Sequence, residues 1–251
     1  MKLAEKPWTQ IRDALRDAPR AVAILPCGAT EAHGPHLPLN TDVIISEGMA
    51  NRAAAKLLEA GVTALVLPPL AYAPAEYAAA FAGTISVSAA AAKAVLLDIA
   101  RALKTQNFAC LAIANSHFDP ANVAMLRDAA AEIAAFGMPV AFPDFTRRAL
   151  AQKLTAEFIS GACHAGRFET SLVLADRSDL VDENARARLH DNPASLTAAF
   201  AAGARTFTEA GGPEAYFGAP QEATGSEGEA SFEIMADGLL DAIKEAIAHT
   251  A

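Results

Sequence analysis

The chain has 251 residues, 53% of them hydrophobic, which is enough to bury one sizeable core. Its net charge is −9, and its lysines and arginines are scattered, which argues against nucleic acid or an anionic membrane as the main partner. Charges interrupt residues 1–20 too often for a signal peptide, and no stretch approaches the ~20 uninterrupted apolar residues of a membrane span. The three cysteines, Cys27, Cys110 and Cys163, are widely spaced and form no CxxC pair. That usage suits a reducing compartment, so a cytoplasmic protein is expected.

In chain order, a first buried strand is predicted over 21–27 (AVAILPC), followed by a helical pattern over 43–60. A second strand over 62–67 (VTALVL) precedes an Ala- and Leu-rich helix over 86–105. A third strand over 108–114 (FACLAIA), a helix over 121–136 and a fourth strand over 138–142 (MPVAF) come next. Each strand segment is too short for a typical helix and nearly free of polar residues, as strands covered on both faces should be. Further helices are expected near His164 and over 229–249. Residues 203–228, rich in Gly, Pro and Thr, read as a long ordered loop or a subunit-contact segment. The alternation predicts an α/β fold, a mostly parallel sheet with helices on both faces, and no composition shift marks a second domain.

Residues with metal-binding chemistry gather just after the predicted strands. Glu31, His33, His36 and Asp42 follow the first, and His117, Phe118 and Asp119 follow the third. Ligands of parallel sheets bind beyond the carboxyl ends of the strands, so the two groups are placed to converge. In an extended segment, residues i and i+2 face the same way, which lets Glu31 and His33 reach one cavity. Glu31, His33, Asp42 and His117 form an oxygen and nitrogen donor set suited to zinc, manganese or iron(II), and a carboxylate shared by two ions would make the water between them a strong nucleophile.

The run PCGATEAHGPHLPLNTD resembles the signature of the creatininase (creatinine amidohydrolase) family. Three later stretches agree with the family in order and spacing: PPLAYAPAEYAAAFAGTIS, NSHFDPAN and HAGRFETS. The resemblance covers about residues 20–235. It implies a three-layer αβα sandwich formed by the whole chain, 1–251, as one domain. It also implies a divalent metal centre of two ions and hydrolysis of a C–N bond in a small amide, with a homo-oligomer, commonly a hexamer. By position it makes Glu31, His33, Asp42 and His117 metal ligands, with Asp42 the bridge, and leaves the last carboxylate open between Asp119 and Glu169. His164 matches the family's proton-shuttling histidine, and Glu169 is also placed at the catalytic site. His36, Glu76, Tyr77 and Phe118 are expected to support the ligands or touch substrate.

The chain departs from the family where Ala75 and Tyr77 replace Ser and His, Ala82 replaces Pro and Ser116 replaces Gly. Its single tryptophan, Trp8, lies outside the motifs, whereas creatininases surround their substrate with tryptophans. Creatinine is therefore not the expected substrate. A cyclic amide or formamide fits the motifs, with a deformylase or peptide-trimming hydrolase, or a catalytically silent metal-binding scaffold, as alternatives.

Overall fold

A computed structural model describes residues 1–18 and 20–248. Four parallel strands form one sheet in the order β2-β1-β3-β4: β1 Val22–Cys27, β2 Ala64–Val66, β3 Cys110–Asn115 and β4 Val140–Ala141. The longer helices are α1 Trp8–Asp17, α2 Thr41–Glu59, α3 Ala89–Thr105 and α4 Pro120–Ala135. Four short helices, α5 Arg148–Ala151, α6 Ala156–Ser160, α8 Glu183–Arg186 and α9 Leu196–Ala201, precede and follow α7 Arg167–Arg177 in the chain, and α10 Gly225–Ala248 is the last element. All four predicted strands are present, shortened at one or both ends, and β3 runs one residue past its expected end, to Asn115. The helix expected over 229–249 starts four residues earlier, and position 249 lies outside the described residues. The helix expected near His164 begins at Arg167. The exposed helix α1 went unpredicted, because only Ile11 and Leu15 give it an apolar stripe against the core.

Period-two alternation divides the two faces of the sheet. Val22 and Ile24 of β1 point to the side where α2, α7 and α10 pack, against Met49, Leu57, Leu172 and Phe232. Ala21, Ala23, Leu25 and Cys27 point to the other side and meet Leu96 of α3 and Leu126 of α4. Both faces of β1 and β3 are therefore dry, and each fully buried Leu or Ile side chain contributes about 1.5–3 kcal/mol. This is an αβα sandwich around a parallel sheet.

A proline in a central strand removes a ladder donor, yet Pro26 is tolerated here. Val22 N–H bonds toward the β2 side, to Thr63, and by alternation the missing donor of Pro26 faces that same side. There β2 has already ended at Val66, so no ladder acceptor is deprived. No helix among the described residues is long and apolar enough to cross a membrane.

Candidate metal centre

The loop after β1 folds back at once onto the start of α2. Glu31 N–H bonds the Leu39 carbonyl, and the Thr41 hydroxyl bonds the Pro38 carbonyl, which brings Asp42 into the first turn of α2. Gly28 makes this possible: a Cβ there would lie 2.7 Å from the backbone of Asp42 and Val43. Ala29 N–H then donates to Asp42 Oδ2 at 3.2 Å, and the first turn of the helix favours the negative charge.

From the neighbouring strand end, Ser116 donates its hydroxyl to the Asp42 carbonyl at 2.6 Å. The backbone of His117 is clamped by Asn115 and Asn122, both of which donate to its carbonyl. The serine that replaces the family's glycine thus fastens the β3 loop to α2, with Asp42 beside His117.

Five side chains meet at this point. Asp42 turns Oδ2 to His117 Nδ1 at 3.0 Å and Oδ1 to His33 Nε2 at 3.2 Å. Glu31 Oε1 lies 3.1 Å from His117 Nδ1, and Glu169 Oε2 lies 3.5 Å from His33 Nε2. Two groups result, Glu31–Asp42–His117 and His33–Asp42–Glu169, each with ligand atoms within 4.8 Å of one another and Asp42 common to both. A third group, Glu31–His33–His164, shares the same space, with His164 Nδ1 4.0 Å from Glu31 Oε1. All of these residues are buried.

The histidines are oriented from behind. His33 donates Nδ1–H to the Glu31 carbonyl, His117 donates Nε2–H to the Pro74 carbonyl, and His164 donates Nε2–H to the Ala32 carbonyl. A carbonyl can only accept, so each of those nitrogens carries a hydrogen and the opposite nitrogen is the one aimed inward. His33 Nε2 is buried without a hydrogen bond, although three carboxylate oxygens lie within 4.0 Å. Among the described residues, no lysine or arginine pairs with Glu31, Asp42 or Glu169. Three buried acids, inward imidazole nitrogens and an orphaned nitrogen are the donor set of a divalent cation site.

The titration behaviour follows from the same geometry. Burial alone would lower the pKa of His33, but Asp42, Glu169 and Glu31 outweigh it and hold it at about 10. His117 is likewise raised, its burial outweighed by Glu31 and Asp42. Burial would push Asp42 and Glu31 up, and the facing histidines instead hold both carboxyls down. Glu169 is pushed up to about 8, by burial first and by its neighbouring acids against the pull of His33. His164 goes the other way, to about 4, because burial and the charge on His33 both disfavour its protonation.

Glu169 comes from the first turn of α7 and accepts from Ala165 N–H at 2.6 Å. Ala165 itself sits at φ 50°, a left-handed conformation that alanine rarely adopts, in the turn that presents His164. The turn is held by the segment after α9: Phe217 N–H bonds the His164 carbonyl and Gly34 N–H bonds the Ala215 carbonyl. Phe217 is fully buried and Tyr216 gives its hydroxyl to the His190 carbonyl, so this pair packs within its own chain.

Sequence reasoning missed Glu157, which no motif marks. Its carboxylate accepts from Phe168 N–H at the uncapped start of α7 and from Ala219 N–H, both at 2.8 Å. Its role depends wholly on contacts 11 and 62 residues away, and so leaves no local pattern.

The remaining candidates lie at varying distances from the cluster. Asp119 caps α4, accepting from Ala121 and Asn122 N–H, and belongs to none of the three ligand groups. His36 is buried and its Nε2 shares a hydrogen bond with the Thr170 hydroxyl on α7, next to Glu169. Glu76 is exposed and accepts from the Ser86 hydroxyl. Tyr77 packs on Phe200, with ring centres 3.9 Å apart.

A cavity of about 690 Å³ opens over Glu31, Asp42, His117 and Glu169. Tyr77, Phe118, Phe158, Phe200 and Phe207 supply an aromatic wall, and Asp119 also faces the space. His164 stands between the cluster and that wall, its ring 4.3 Å from both His33 and Phe207.

Comparison with known proteins agrees with this architecture. The chain is 31% identical to the mycofactocin precursor peptide peptidase of Mycobacterium ulcerans, over 88% of this chain and 83% of that one. It is 29% identical to the creatinine amidohydrolase of Pseudomonas putida, over 97% and 96% of the two chains. A solved creatininase in its Mn form superposes with a TM-score of 0.74 at 27% identity, covering 97% of both chains. The family model for creatinine amidohydrolase matches residues 4–243, and the chain belongs to that family.

Proposed function

We propose that the protein hydrolyses a C–N amide bond in a small molecule at a centre of two divalent ions. The observation that carries this reading is Asp42, whose two oxygens face two separate donor groups. Glu31 and His117 would hold one ion with Asp42, and His33 and Glu169 the other. The inward histidine nitrogens and the orphaned His33 Nε2 fit such ions, and manganese and zinc suit the donors. When bound, the ions supply Lewis acidity, acidifying water toward pKa ~7 and polarising a carbonyl.

His164 is neutral near pH 7, is fixed by the Ala32 carbonyl and lies 4.0 Å from Glu31, with Nδ1 turned to the reaction space. It would take a proton there and deliver it to the leaving nitrogen. Glu31, Asp42 and Glu169 would supply the negative charge that holds the ions, and the aromatic wall excludes water from the scissile bond. Asp119, engaged at the start of α4, is better read as a helix cap than as a ligand.

The whole chain would work as one such domain, in the cytoplasm, as a homo-oligomer with a hexamer favoured. Exposed Leu39, Tyr72 and Ile85 give apolar surface for that assembly. A cyclic amide or a formamide is one substrate class. The second reading is a peptide-trimming hydrolase, favoured by a cavity much larger than a single small ring requires and by the likeness to a precursor peptide peptidase.

The test is to strip the protein of metal, restore manganese or zinc, and assay lactams, formamides and short acylated peptides. Two bound equivalents per chain, with turnover of at least one class that depends on them, is the expected result. Failure of all classes in fully loaded protein would favour a silent scaffold.

A further inference from the structure

The floor of the cavity is a buried cluster of acids and histidines, whereas its exposed lining carries the arginines Arg127 and Arg148. Three arginines stand in this region, and two are already engaged. Arg127 gives Nε–H to Asp144 Oδ2 at 2.7 Å and also bonds the Thr146 hydroxyl, while Arg147 reaches the same Asp144 oxygen at 3.2 Å. Arg148 lines the cavity, is exposed, and makes no ion pair or side-chain hydrogen bond among the described residues.

Gln152 lies four residues further along, still in helical conformation, and also lines the cavity with its amide unengaged. Residues i and i+4 neighbour one another on a helical face, so a guanidinium and a carboxamide donor stand together there. Asp119, the acid of the cavity that belongs to none of the ligand groups, has its carboxylate turned to the start of α4. Much of the remaining lining of the cavity is apolar: Phe118, Val123, Phe158, Ile159 and Leu196.

We infer that Arg148, with Gln152, binds a carboxylate at the end of the substrate farthest from the scissile bond. Resting on the amidohydrolase reading above, this makes the substrate an amide with an apolar or aromatic body and an anionic tail. An N-acyl amino acid and the last residue of a short peptide share that chemistry. A guanidinium matches a carboxylate with paired donors, and an exposed site makes the preference sensitive to salt.

The experiment measures binding to the metal-loaded full chain by calorimetry. The probes are N-acetyl-phenylalanine and an acetylated dipeptide ending in phenylalanine, each against its terminal carboxamide. The free carboxylates should bind roughly three- to tenfold more tightly in the unaltered protein. That ratio should fall to near parity in Arg148→Ala, invert in Arg148→Glu and largely survive in Arg148→Lys. The tighter of the two carboxylate probes identifies which source fits. Equal binding of carboxylate and carboxamide overturns the inference. So does a preference that Arg148→Ala leaves unchanged, which would assign the carboxylate to the metal ions.

Turnover of the same four compounds separates the two claims. Hydrolysis without the Arg148-dependent preference removes this inference alone. The preference without hydrolysis of these four compounds, or of the lactams and formamides assayed beside them, keeps it and removes the amidohydrolase reading.

Discussion

The inner and outer ends of the cavity are built by different means. The inner end is assembled from strand-end loops and the first turns of α2 and α7, with each ligand candidate buried and each histidine tied to a backbone carbonyl. The outer wall is made of short helices, α5, α6 and α9, and of aromatic side chains held by packing. The inner end has almost no freedom to change its donors without leaving a buried charge unpaired, which is costly. The wall can exchange one apolar side chain for another at modest cost. One construction preserves a chemistry and the other lets the substrate vary.

The sharpest way to break that contrast is to remove the shared carboxylate. Asp42→Ala should cost both metal ions and at least a thousandfold in turnover, whereas Glu169→Gln should cost one ion; elemental analysis beside an activity assay checks both. If Asp42→Ala keeps two equivalents, the inner end is not organised around that residue. Next in size, His164→Ala should retain its metal but lose about 10²–10⁴ in turnover. Loss of metal in that variant would make His164 a ligand, in line with the third donor group that contains it.

A third prediction concerns pH. In the metal-free protein His33 is held at about 10 and His117 is also raised, so both carry their protons at pH 7. Cations must displace those protons, so metal affinity should rise with pH, by about tenfold per unit for each proton released. The sign is fixed by the raised values: affinity falls as the pH drops further below them. Calorimetry in buffers of differing ionisation enthalpy counts the protons, and a count of zero would contradict the geometry. The smallest effect belongs to the wall side. Asp119→Ala should cost about 1 kcal/mol of stability through loss of the α4 cap, with metal content unchanged.

This division also explains what the sequence made legible. Glu31 and His33 could be paired from the i, i+2 spacing, and Asp42 and His117 from their places after predicted strands. Those are local or topological signals, and the sheet brings them together as expected. The choice between Asp119 and Glu169 was not legible, because it depends on where the first turn of α7 arrives. That placement rests on Glu157, Phe217 and the left-handed turn at Ala165. Likewise α5, α6 and α9 have 4, 5 and 6 residues, too short to show a helical period, and the cavity wall they form could not be drawn beforehand.

Glu157 has a consequence for the order in which this protein can be made. Its carboxylate needs donors from residues 168 and 219, and Gly218 at φ 89° lets the backbone close against it. During synthesis the β1 and β3 loops can meet as soon as the chain has passed His117. The His164–Glu169 arm must wait until residue 219 has emerged, about fifty residues after Glu169 and about a hundred after His117. A nascent chain arrested between those points would hold half of a metal centre, with Asp42 in place and Glu169 still adrift. Loading of the second ion would then have to follow the emergence of the segment that carries residue 219.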